Sequence, residues 1–125
     1  MATVTVTDAN IDETISGNDI VFLDWWASWC SPCRMFAPIF EAASEAHEDI
    51  VFGKIDTEAQ QGLAGAAGIE SIPTLMGFRE GILVFSEAGA LPKKALDEVI
   101  TLIRELDMDD VRRQIEEAKA APVQL

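Results

Sequence analysis

Cys30 and Cys33 are the only cysteines in the chain, and two residues separate them. Sulfur at this spacing can do redox chemistry. A thiolate attacks disulfides, and a second thiol one helical turn on can close a small ring with the first. The segment Trp29-Cys30-Ser31-Pro32-Cys33-Arg34 follows an apolar run, Ile20 to Leu23, and precedes a helical pattern, Arg34 to Ala46. The cysteines therefore stand where a strand hands over to a helix, the setting of a redox pair in a small chain. A helix amino end offers free N–H groups and partial positive charge, and both lower a thiol's pKa. Pro32 suits a first helical turn, where its missing N–H is not needed. The competing reading is half of a zinc site. Structural zinc usually takes four Cys or His ligands, and this chain offers two Cys and one His. No metal site is expected.

The elements that must hold this pair can be read outward from it. Ile20 to Leu23 is apolar without alternation, which suits a central strand covered on both faces. Cys33 to His47 places Met35, Phe36, Ile39, Phe40 and Ala43 at helical spacing, with Pro38 expected to kink the helix and not end it. Met35 and Phe36 are expected in the core, as are Trp25 and Trp26. Strands are expected at Thr3–Val6, Val51–Ile55, Thr74–Phe78 and Ile82–Phe85, the last two joined by a hairpin-like link. Helices are expected at Ile11–Ile15, Gln60–Ala67 and Leu91–Leu106. The alternation β-α-β-α-β-α-β-β-α predicts a layered α/β fold with a mixed sheet.

Composition narrows the partners. The chain has 125 residues, 49% of them apolar, which suits one packed domain. No run is long enough to suggest a membrane span, and the first residues lack the cationic start of a signal peptide. Nine basic against 22 acidic side chains give a net charge of −13. Phosphate backbones and anionic membranes would be repelled. The same excess favours docking partners with basic rims. A lone cysteine pair this close staples almost no chain, so a reducing cytoplasm is the expected setting.

The matched pieces, in order, are Asp24-Trp25-Trp26-Ala27-Ser28-Trp29-Cys30-Ser31-Pro32-Cys33-Arg34, Pro38, Lys54-Ile55-Asp56, Ile72-Pro73-Thr74-Leu75, Phe78 with Gly81, and Gly89-Ala90-Leu91. With these the chain resembles the bacterial-type thioredoxins, over about residues 3 to 106. The resemblance implies a five-stranded mixed sheet flanked by four helices, and dithiol–disulfide exchange. It implies no bound cofactor, with electrons drawn from NADPH through a thioredoxin reductase and passed to disulfide-containing proteins by a monomer.

Cys30, outside the helix, is expected to be the exposed nucleophile, and Cys33 the more buried resolving thiol. Asp24 follows the apolar strand run, where an unpaired buried carboxylate tends to keep its proton. By resemblance it accepts the proton of Cys33; the alternative is a strand-end aspartate capping the turn. The family often has a lysine near this acid. Phe52 takes that place here, with Lys54 two residues on, so Asp24 is expected to lack a cation and to be still harder to ionise. By resemblance Pro73 is a cis-proline facing the cysteines, the alternative being a trans turn proline. Trp29, Pro32, Ile72, Gly89 and Ala90 complete the expected substrate rim. His47 is expected to be a solvated helix-end cation. Ser31 and Arg34 replace the commonest glycine and lysine of the family motif.

Residues 107–125 form an expected helical extension to a domain of residues 1–106. Its expected i,i+4 pairs are Asp109–Arg113, Arg112–Glu116 and Arg113–Glu117, and Pro122 should end it. It could pack on the surface, dock a partner or second copy, or fray. Two other functions stay open: a thiol oxidase or isomerase, and a redox-independent binding subunit or chaperone.

Overall fold

The apolar run at Ile20 becomes the middle strand of the molecule. The computed structural model describes residues 2–120. In chain order it forms β1 (Thr3–Thr5), α1 (Ile11–Ser16), β2 (Ile20–Trp26), α2 (Ser31–Ala46), β3 (Val51–Asp56), α3 (Gln61–Ala66), β4 (Thr74–Arg79), β5 (Ile82–Ala88), α4 (Lys93–Arg104) and α5 (Met108–Ala120). The five strands make one sheet in the order β1-β3-β2-β4-β5. β1, β3 and β2 run parallel, while β4 and β5 are antiparallel additions. This is the mixed five-stranded sheet expected, with a fifth helix after α4.

Burial on both faces explains why β2 lacks alternation. One face carries Ile20 and Phe22, packed with Phe36 and Phe40 of α2 and Leu96 and Ile100 of α4. The opposite face carries Val21, Leu23 and Trp25, packed with Ile11 and Ile15 of α1 and Leu63 of α3. Phe22 stacks on Phe52 at 5.5 Å between ring centroids, and Phe40 meets Phe52 edge-on at 5.2 Å. Such pairs add to the burial of large apolar side chains. β2 continues through Trp26 because β3 pairs with it as far as Asp56.

Several boundaries differ from the sequence reading. β5 runs to Ala88, since backbone pairing with β4 carries its polar end, Ser86 and Glu87. α2 starts at Ser31, and Pro38 lies inside it without ending it. Pro92 caps α4 from outside the helix. Met35 is corrected from core to surface: it is 68% exposed, because Cys33, Phe36, Phe40 and Ala43 form the buried face of α2. His47 closes α2, with its Nδ1 3.1 Å from Arg104 Nη2.

α5 is fastened at its start. Met108 is buried, and Arg112 bridges Asp109 and, across the chain, Glu80. Arg113 pairs with Asp110 and Glu117. The Asp109–Arg113 and Arg112–Glu116 pairs expected at i,i+4 therefore give way to i,i+3 contacts, because Arg112 turns to Glu80. Pro122 lies outside the described residues.

One side chain holds the elbow between α4 and α5. Arg79 Nη1 donates to the carbonyls of Ile103 at 2.7 Å, Arg104 at 3.1 Å and Leu106 at 3.3 Å. The last carbonyls of a helix have no intrahelical partner, and a cation there also meets the negative end of the helix dipole. With its side chain only 17% exposed, Arg79 is screened little by solvent. Arg79→Met is expected to lower the unfolding free energy by about 2 kcal/mol in urea titration, with Arg79→Lys recovering part of the loss. Equal stability of Arg79→Met and the parent would show that water replaces the contact freely.

Candidate active site

The carboxyl end of β2 and the amino end of α2 meet at the cysteines. Cys30 is the N-cap of α2, and its sulfur accepts the Cys33 backbone N–H at 3.2 Å. A side-chain acceptor here satisfies one of the helix's orphan donors. Cys30 and Cys33 are joined by a disulfide across a Cα–Cα distance of 5.2 Å. Ser31 and Pro32 are exposed between them. Arg34 reaches back to the Ser28 carbonyl at 2.8 Å and fixes the approach to the helix.

Cys30 is not the exposed member of the pair. It is 4% exposed and Cys33 3%. Ala27, Trp26 and Ile72 close around both sulfurs, and the Ile72 carbonyl lies 3.6 Å from Cys30 Sγ. What distinguishes the two is position on the helix, not solvent contact.

The loop opposite is the one expected. The Ile72–Pro73 bond is cis, and Pro73 is buried. Gly89 N–H donates to the Pro73 carbonyl at 2.7 Å, which brings the end of β5 beside the cysteines. Gly89 takes φ +105, a conformation that L side chains rarely adopt. Ala90, next to it, is exposed. Trp29 is 65% exposed and lies to the other side, with its indole N–H donating to Glu58 at 2.7 Å. Sequence reading did not mark Glu58. It lies 29 residues from Trp29, and no local pattern signals the contact.

Asp24 sits in β2 and is 0% exposed. Neither carboxylate oxygen has a hydrogen-bond partner among the described residues, so it caps no turn. Burial pushes its pKa up to about 7, against an opposing pull from Lys54. That cation was not expected. Phe52 pairs with Phe22 in the core, but two residues on along β3 Lys54 stands directly opposite Asp24. Side chains two apart share a face, so only the rung on which β3 pairs with β2 decides that Lys54, not Phe52, meets Asp24. Lys54 Nζ lies 5.1 Å from the Trp26 ring centroid, a cation–π distance that holds it at the sheet's end.

Among the described residues no group of three or more His, Cys, Asp or Glu is placed to hold a metal ion. No helix of the described residues is long and apolar enough to cross a membrane. The site is a buried sulfur pair under a rim of backbone and apolar side chains, and β2, which leads into it, also carries the buried carboxyl of Asp24.

Comparison with known proteins agrees with this geometry. The thioredoxin family model matches residues 2–102. A Streptomyces coelicolor protein named "Putative thioredoxin 2" is 53% identical over 119 residues, covering 95% of this chain and 89% of that one. A match of that length must run into α5. Bacillus subtilis thioredoxin is 40% identical over 80% of this chain and 96% of its own. Among solved structures, a mutant thioredoxin from Halobacterium salinarum superposes with a TM-score of 0.77 at 35% identity, covering 83% of this chain and 92% of that one. The chain therefore belongs to the thioredoxin family and is a dithiol–disulfide oxidoreductase.

Proposed function

We propose that this chain works as a protein-disulfide reductase of the cytoplasm, recharged by a thioredoxin reductase that draws on NADPH. Residues 1–106 are the catalytic domain in this reading, and 107–125 an appended helical segment. The observation that carries it is the Cys33 N–H on the Cys30 sulfur, 3.2 Å away at the amino end of α2. In the reduced protein the same donor and the helix dipole favour a thiolate on Cys30.

The steps follow. Cys30 thiolate attacks one sulfur of the substrate disulfide, and the other substrate sulfur leaves as thiolate and takes up a proton. Cys33 loses its proton to Asp24 and attacks Cys30 Sγ. The Cys30–substrate bond breaks, the second substrate thiolate leaves, and two electrons have passed from the dithiol to the substrate. A carboxyl that titrates near 7 suits this transfer, since both of its forms are populated at neutral pH. Trp29, Pro32, Ile72, Pro73, Gly89 and Ala90 supply the surface on which the substrate backbone lies.

Insulin reduction with NADPH and a thioredoxin reductase tests this directly. Turnover is expected with the parent. Cys30→Ser should abolish it, and Cys33→Ser should accumulate the mixed disulfide, visible as a covalent adduct by mass spectrometry. Adduct on Cys33 in a Cys30→Ser variant, with none on Cys30 in the Cys33→Ser variant, would reverse the assignment.

Asp24 also predicts how stability depends on pH. In the unfolded chain its carboxyl ionises near the ordinary 3.8, in the folded one near 7. Its contribution is fully present below pH 3.8 and is lost as pH rises through about 7. At about 1.4 kcal/mol for each pH unit between the two values, the loss is at most about 4 kcal/mol. Asp24→Asn should therefore be more stable than the parent at pH 8, by about 2–4 kcal/mol in denaturant titration of the oxidised protein. Its turnover should be slower across about pH 6 to 9. No gain in stability at pH 8 would mean that the buried carboxyl is not strained.

A further inference from the structure

On the outer face of α2, Pro32, Met35, Ile39, Ala42 and Ala46 recur in alternating steps of three and four residues. That spacing keeps them on one side of the helix. None is fully buried. Met35 is 68% exposed, Pro32, Ala42 and Ala46 are exposed or partly so, and Ile39 is half-buried. A net charge of −13 leads one to expect charged side chains on such a face, and this stripe has none. Beside it runs α4. Between the two helices lies a groove walled by Pro38, Ile39 and Ala42 on one side and Lys93 and Leu96 on the other, with Asp97 at its margin. Lys93 and Asp97 pair at 2.7 Å, so their charges offset one another and the groove favours an apolar occupant.

The groove and the redox centre share one helix. The stripe begins at Pro32, between the two cysteines, and its Ile39, Ala42 and Ala46 line the groove. The chain that leads into α4 begins at Gly89, whose N–H is bonded to the Pro73 carbonyl beside Cys30. We propose that this groove receives an apolar side chain of the protein whose disulfide is being reduced, so that substrates are selected by a residue some way from the attacked sulfur. The inference rests on the reductase reading above. Helical rise places Ile39 about 10 Å and Ala42 about 15 Å along α2 from Pro32. An extended peptide advances about 3.3 Å per residue. The selected side chain therefore stands three to five residues from the attacked half-cystine. Ala42 and Ala46 leave room for it.

Disulfide-bonded peptides test the idea with no variant needed. One set carries leucine or serine four residues to the amino side of a half-cystine, the other four residues to the carboxyl side. In one of the two sets the leucine peptide should show a kcat/KM about tenfold above its serine twin, the effect of partly burying one aliphatic side chain. Ala42→Glu is a surface substitution by a good helix former and puts a carboxylate in the groove. It should bring that ratio to about one. Equal rates in both sets overturn the inference, and so does a ratio that Ala42→Glu leaves intact. If no peptide of either kind is reduced, the reductase reading itself falls and this inference falls with it.

Discussion

The contact between the Cys33 N–H and the Cys30 sulfur, at 3.2 Å, sets the terms for the rest of the molecule. It requires a helix to begin at Ser31. It requires a strand to end just before, and that strand must be rigid for the sulfur to sit at one place. β2 meets the demand by being covered on both faces and paired on both edges. The aromatic cluster of Phe22, Phe36, Phe40 and Phe52 then binds α2 to the sheet, so the helix amino end cannot drift from the cysteine it caps.

Much of this was legible in the sequence because the signals are local. The unbroken apolar run at Ile20 and the helical spacing after Cys33 depend on neighbours a few residues away. The readings that failed depend on distant ones. Cys30 is covered because Ile72, 42 residues on, folds over it. Met35 fits the apolar pattern of α2, yet only part of that helix faces the sheet, and which part is decided by α4 and β3. Lys54 faces Asp24 because of the rung on which β3 pairs with β2, and pairing between separate strands leaves no mark in either segment alone. Ser86 and Glu87 do not look like a strand by composition. They become one because β4 presents its backbone to them.

The electrostatics near the site form a chain of opposing pressures. Burial holds Asp24 toward its neutral form, Lys54 pulls it toward the charged one, and the Trp26 ring keeps Lys54 near at hand. A cation fully paired with the acid would keep it ionised, and no cation at all would keep it protonated. The intermediate arrangement leaves the carboxyl close to balance at neutral pH, as the proposed transfer of a proton from Cys33 requires.

Arg79 and the cysteines lie at opposite ends of the sheet. Arg79 stands opposite Ile20, where β2 begins, and Thr74 stands opposite Trp25, near where it ends. Five rungs of antiparallel strand separate them by about 17 Å. Energies of changes that far apart generally add without interference. The molecule is thus divided into a clasp that holds it together and a working end that handles sulfur. A substitution at Ser31 or Arg34 is felt at the working end, and its cost adds to that of one at Arg79 without deepening it.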